Sequence, residues 1–179
     1  MKHQTLVSTT RFDAGVLPRR SIADGQGLSS SDPAILAVTD FTREHPVTID
    51  PERQIDDALD DMIRMGVRAL LAVKDQRIVG LITSYDIQGE RPLQFLQSST
   101  YSHHRDIRVA HIMTPWQALT AIHWETLQTM RAGDLLQLLD HAGLTHIIVV
   151  EADRVAASCV VRALVSRARL IRQLSGIRG

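Results

Sequence analysis

The chain has 179 residues, 44% of them apolar, and its 20 basic and 20 acidic side chains leave a formal net charge of zero. That length suits one domain or two small modules packed together, and charge neutrality argues against a general nucleic-acid binder. No apolar run approaches the ~20 residues of a membrane-spanning helix, and the N-terminus lacks an apolar core of signal-peptide length. The one cysteine, Cys159 in "VAASCVV", excludes an internal disulfide and reads as a buried, inert thiol in a reducing cytoplasm.

Residues 1–31 carry Gly15, Gly25 and Gly27 without clear periodicity and read as an irregular arm. Order is expected from "SDPAILAVTDF", where Asp32 and Pro33 make a helix-start signal. "PVTI" reads as a short strand. In "DPERQIDDALDDMIRMG", Ile55, Ala58, Leu59, Met62 and Ile63 recur at the spacing of one helix face. Asp56, Asp57, Asp60 and Asp61 take the solvated side, and Gly66 is placed to end the helix. "ALLAV" and "RIVGLIT" follow as two strands joined by the polar turn "KDQR".

The plan then returns. "FTREHPVTI" matches "MTPWQALTA" at an offset of 72, and "MGVRALLAV" matches "AGLTHIIVV" at an offset of 77. "DQRIVG" matches "ADRVAA" at that second offset, which puts about five extra residues of the second copy within "HWETLQTMRAGD". Two copies of one supersecondary unit, ordered strand, helix, strand, strand, helix, are the expectation. Each copy leaves a sheet face that the other is suited to cover.

The repeated β-α-β-β-α order resembles a tandem pair of CBS domains, the arrangement called a Bateman module. So do the "MT" that opens the second copy and the G-h-h-[ST]-x-x-D pattern in Gly80-Leu81-Ile82-Thr83-Ser84-Tyr85-Asp86. The likeness spans about residues 33–175. It implies an α+β fold with pseudo-two-fold symmetry: arm 1–31, first domain 32–98, linker 99–107, second domain 108–175.

A helix beginning near Ser84 would present free N–H groups and partial positive charge, which suit a phosphate. Thr83 can add a hydroxyl, and Asp86 in the first turn can accept from a ribose diol. Gly80 leaves room for close approach. The alternative for Thr83 and Asp86 is helix capping alone. The resemblance implies further ligand-binding positions. Thr42 follows the opening helix of the first domain, and Val47 lies where relatives pack against adenine. Arg68 and His146 fall on the second strands, at positions that reach the phosphate region in some relatives; the alternative for both is a solvent-facing strand residue. By the offset of 77, the second copy's equivalent of the motif is Ala157–Ala163, which lacks glycine, hydroxyl and carboxylate. One nucleotide per chain is then expected. Arg162 stands nearby as a donor able to hold a phosphate.

His103, His104, Asp106 and His111 do not form a convincing metal set, and no nucleophile–base motif or Walker-type loop points to an enzyme. Trp116 and Trp124 read as fillers of core or interface gaps. The functional reading is a stand-alone, non-enzymatic, cytoplasmic regulatory module without a resident cofactor. It would bind an adenine-containing ligand (AMP, ADP, ATP, NAD or S-adenosylmethionine) between its domains and signal to a separate, unidentified protein. The alternative is a ligand-free oligomerisation module. A third reading, nucleic-acid binding through the Arg-rich tail, is opposed by neutral charge and a tail without aromatics. A homodimer is expected because "VVRALVSRARLIRQL", read as a helix, carries Val161, Leu164, Val165, Ala168 and Ile171 on one face, and "PLQFLQ" adds Leu93, Phe95 and Leu96.

Overall fold

The computed structural model describes residues 27–101, 103–153 and 158–176. In chain order the strands are β1 (Thr39–Asp40), β2 (Thr48–Ile49), β3 (Ala69–Lys74), β4 (Arg77–Thr83), β5 (Thr114–Pro115), β6 (Ala121–His123), β7 (His146–Asp153) and β8 (Ser158–Ser166). The helices are α1 (Ile55–Met65), α2 (Ser84–Gln88), α3 (Arg91–Ser98), α4 (Val109–Ile112), α5 (Trp124–Thr129), α6 (Ala132–His141) and α7 (Arg167–Leu174). Two four-stranded sheets form, ordered β2-β3-β4-β5 and β1-β8-β7-β6.

The period of two along each central strand builds three apolar layers. Leu70 and Ala72 of β3 face α1 and α4, while Ala69 and Leu71 face the opposite sheet. Ile147 and Val149 of β7 face α5 and α6, and Ile148 and Val150 return the contact from the second sheet. Strands buried on both faces need unbroken apolar runs, which is why "ALLAV" and "IIVV" do not alternate. The layer between the sheets, with Leu71, Leu81, Ile148 and Val150 at most 8% exposed, joins the two modules. Each such side chain contributes roughly 1.5–3 kcal/mol.

The local expectations for α1 hold except at Ile63, which leaves the apolar face. Ile55, Ala58 and Met62 are buried, and Gly66 closes the helix at φ 66° with its N–H donating to the Ile63 and Met62 carbonyls. Leu59 is half-buried, and Ile63 is 72% exposed. The β3–β4 turn places Asp75 and Gln76 at positive φ (50° and 61°), which suits a tight hairpin.

Other expectations are corrected. "VVRALVSRARLIRQL" is not one helix: Ser158–Ser166 is strand and only Arg167–Leu174 is helical. Val165 is buried beneath its sheet, and Val161 and Leu164 pack against the layer between the sheets. They leave no common helical face. The segment after Asp32 is a 3-10 turn, Ala34–Ala37, and Asp32 accepts from the Ser29 N–H instead of capping it. Ala34, Ala37 and Val38 pack into the core of the second module, and β1 pairs with β8. Reciprocally, Ile107, Val109 and Ile112 enter the first module's core and β5 pairs with β4. The lead-in to each repeat thus completes the other one. Cys159 is exposed, because its stretch of β8 extends past the buried layer. Among the described residues, no helix is long and apolar enough to cross a membrane.

Candidate functional site

Strand β4 runs directly into α2, and the polar residues at this junction close on one another. The Asp86 N–H donates to Thr83 Oγ1 at 3.2 Å, while Asp86 Oδ2 accepts from the Thr83 N–H at 2.8 Å and from the Thr83 hydroxyl at 2.7 Å. This is a reciprocal capping box. Asp86 Oδ1 pairs with the Arg91 guanidinium at 3.0 Å. Arg91 in turn donates to the Ile112 carbonyl at 2.7 Å and to Thr114 Oγ1 at 3.2 Å. With its side chain 13% exposed, Asp86 spends both oxygens within the protein. The arrangement ties α2 to the segment that leads into the second repeat.

Gly80 serves the same junction. It lies opposite Pro115, and a Cβ there would come within 2.7 Å of the Met113 sulfur and the Thr114 carbonyl oxygen. The missing side chain makes room for β5. Thr42 is exposed, and its N–H and hydroxyl donate to Asp40 Oδ1 at 2.9 and 2.7 Å. Asp40 also pairs with Arg162 at 3.1 Å. Burial would raise the Asp40 pKa, but the hydrogen bonds from Thr42 and Arg162 outweigh it and hold the carboxyl at about 2.

The hairpin register corrects the expected equivalence between the copies. Ala69 lies opposite Thr83, 14 positions on, whereas His146 lies opposite Ser166, 20 positions on. The bulges agree with this, falling after Ala72 in one sheet and after Val149 in the other. Gly80–Asp86 therefore corresponds to Ala163-Leu164-Val165-Ser166-Arg167-Ala168-Arg169, not to Ala157–Ala163. The second copy keeps the hydroxyl, as Ser166, and puts Arg169 where Asp86 stands. In both copies the first helical N–H donates to a carbonyl beside the preceding strand, Ser84 to Arg68 at 3.0 Å and Arg167 to Thr145 at 2.9 Å. They differ at the next step. An arginine offers only donors, so no box closes, and the α7 N-terminus has no side-chain cap.

The α7 N-terminus faces a cavity of about 770 Å³ between the two modules. Val47, Leu59, Met62 and Val67 form an apolar wall, Tyr85 stands at 49% exposure, and Ser166, Arg68, Arg169 and Arg172 bring polar groups. Of the residues expected from the sequence, Val47, Arg68 and His146 line this cavity; Thr42, Gly80, Thr83 and Asp86 do not. Tyr85, Ser166, Arg169 and Arg172 were not anticipated. The signal for two of them was present, since "ALVS" matches "GLIT" position by position in residue class. It was hidden by the longer second hairpin.

His146 is 8% exposed, and its Nδ1 is within 3.1 Å of the Thr145 hydroxyl. Burial pushes its pKa down to about 4, against a smaller upward pull from the Asp86 carboxylate, so the ring is neutral at neutral pH. Arg162, expected to be free for a phosphate, is instead held by Asp40 and by Glu151 (2.8 Å) and lies 4.4 Å from the centre of the Trp124 ring. Trp124 is buried and Trp116 is 37% exposed. Among the histidines between the modules, His104 turns toward Asp56 at 3.5 Å and His111 stacks on Phe95 at 4.4 Å.

Two facing sheets built from duplicated strand–helix–strand–strand–helix units, each completed by the other's lead-in, define a paired-module α+β fold. Residues 38–91 match the family model of the CBS domain. Solved structures extend the likeness over most of the chain. A conserved protein from Pyrococcus horikoshii superposes with a TM-score of 0.55 at 18% identity, over 85% of this chain and 97% of that one. A protein with CBS domains from Burkholderia ambifaria MC40-6 gives 0.56 at 20%, over 82% and 95%. The CBS domain of a bacterial CNNM/CorC family Mg2+ transporter, solved in complex with ATP, gives 0.54 at 18%, over 83% and 91%. A comparison with curated proteins finds no match. The chain carries a CBS-domain match over residues 38–91, and its overall fold is that of solved CBS-domain proteins.

Proposed function

We propose that this protein is a regulatory module that binds an adenine-containing nucleotide in the cavity between its two domains and passes that state to a separate protein. The observation that carries the reading is the cavity itself. Its volume of about 770 Å³ lies within the usual range for small-molecule sites. One wall is apolar and fits a base. The lining also brings in the residues at the α7 N-terminus and three arginines, which fit phosphates. The ATP bound by one protein of the same fold adds support. Thr83 and Asp86 are structural in this reading.

A second reading, a ligand-free assembly module, draws on the closure of Thr83 and Asp86 by their own cap. One experiment separates the two: thermal melting of the full chain against AMP, ADP, ATP, NAD and S-adenosylmethionine. A ligand that binds only the folded state adds about 2.7 kcal/mol at a hundredfold excess over its Kd. A rise in melting temperature with any of these is expected, and no rise with all five would favour the assembly module. The exposed side chains of Ile63 (72%), Met65 (60%) and Leu93 (59%) support self-association into a homodimer. A monomer mass by light scattering would remove that part.

A further inference from the structure

We infer that the cavity selects its ligand by phosphate charge, favouring a nucleoside triphosphate over the mono- and unphosphorylated forms, and that Arg169 is the residue that makes it do so. The inference rests on the nucleotide reading above and adds the basis of discrimination.

Three observations meet at one place. First, Arg169 occupies the third helical position of α7, where Asp86 closes the cap in α2. Arginine offers only donors, so no carboxylate stands at this position and the helix has no side-chain cap. The arginine also places a cation at the positive end of a helix, where cations are ordinarily unfavourable. A local rule broken at the wall of a cavity points to function.

Second, the cavity lining gathers three arginines that no carboxylate holds among the described residues. Arg162 and Arg167, outside the cavity lining, are held by Asp40, Glu151 and Asp140. Arg68, Arg169 and Arg172 line the cavity and have no carboxylate within salt-bridge distance among the described residues. Among the described residues, Arg169 donates to the Thr39 hydroxyl at 2.7 Å, and Glu44 is the one acid of the lining. Three guanidinium groups and a helix N-terminus against one carboxylate give the lining a positive excess.

Third, the buried His146 adds a neutral group to the lining. Its Nδ1 is engaged by Thr145, so Nε2 is the remaining polar atom of the ring. The charged groups of the lining are therefore chiefly guanidinium groups, whose partners are anionic oxygens. A sulfonium or other cationic adenosyl compound is disfavoured by the same field.

The test is titration calorimetry of the full chain at fixed ionic strength with adenosine, AMP, ADP, ATP, 2′-deoxy-ATP and inorganic triphosphate. Affinity should rise about tenfold with each added phosphate, the size of one charge-assisted hydrogen bond. Adenosine should give no measurable heat, and 2′-deoxy-ATP should bind as ATP does. Arg169→Ala should cut ATP binding about tenfold more than AMP binding. Arg172→Ala, at an exposed position on the same side, should act in the same direction should Arg169→Ala not fold. AMP, ADP and ATP binding within about twofold of one another, or variants that bind ATP as the parent does, would overturn charge selection and leave the nucleotide reading standing. Inorganic triphosphate binding as tightly as ATP would uphold charge selection and remove the adenine part of the reading. Silence from all six compounds would end both.

Discussion

Two strand-to-helix junctions, related by the internal repeat, have taken opposite courses. At the first, Thr83, Asp86 and Arg91 satisfy one another, and the helix N-terminus is closed. At the second, Ser166 and Arg169 leave the helix N-terminus uncapped beside a cavity. The closed junction holds the family motif, and the open one has lost its carboxylate. Asp86 accepts from the Thr83 N–H and hydroxyl through one oxygen and pairs with Arg91 through the other, so both oxygens already have protein partners. The backbone geometry is shared, and one acid-to-arginine difference decides whether the cap closes.

The sharpest way to break this comparison is Asp86→Ala. It removes the cap, leaves the Thr83 N–H and hydroxyl without their acceptor, and frees Arg91 from its carboxylate. A loss of roughly 3–4 kcal/mol is expected from the cap and the stranded donors together. Chemical denaturation should show it, with nucleotide affinity of the folded fraction unchanged. A variant of parental stability that loses ligand binding would restore the motif as the site.

Much of this architecture was legible. The α1 face, the Gly66 stop, the β3–β4 turn and the start of a helix at Ser84 are set by neighbours within a few residues of one another. Two kinds of information were not local. The exchange of Ala34–Asp40 and Ile107–Pro115 between the modules depends on which sheet edge each segment meets, and no periodicity encodes that. The equivalence of Ser166 with Thr83 was concealed by apolar similarity: "DRVAA" copies the class pattern of "QRIVG", while the true alignment sits six positions further on. Whether Asp86 faces ligand or protein depended on Arg91, which lies in the next helix and gives no sign of its partner in sequence.

His146 sharpens the comparison from the side of pH. Its ring is buried at the cavity and feels Asp86 from the closed junction. The folded-state pKa, about 4, lies below the ordinary 6.5, so the unfolded chain takes up the proton first. The contribution is complete above pH 6.5 and is lost as pH falls toward 4, amounting to about 3 kcal/mol. Melting curves across this window should show the decline, and His146→Gln should flatten it. An equal slope in both proteins would place the titrating group elsewhere.

Gly80 and Ala163 occupy equivalent positions opposite Pro115 and Asp40. Ala163 is fully buried with its Cβ in place, so the second sheet accepts a methyl there. The first does not, because Met113 and Thr114 would be met at 2.7 Å. Gly80→Ala should therefore cost about 2 kcal/mol through displacement of β5. Its effect on nucleotide binding should be small. Parental stability with weakened binding would mean that the glycine makes room for a ligand after all.

The smallest expected effect separates Thr42 from the cavity. Its hydroxyl and N–H serve Asp40, which in turn holds Arg162 against β8. Thr42→Val keeps the backbone bond and the side-chain volume and removes only the hydroxyl. The stability loss should stay at about 1 kcal/mol or below, typical of one hydrogen bond at an exposed site. The pH signature is more telling than the magnitude. Asp40 is held down at about 2, so its contribution is present above the ordinary 3.8 and disappears as pH falls from there toward 2. Without the hydroxyl, the carboxyl should rise toward 3.8 and that acid-side loss should shrink, while nucleotide affinity at neutral pH stays at the parental value. A fall in affinity with no change in the acid limb would return Thr42 to the ligand and show that the cavity extends beyond its present walls.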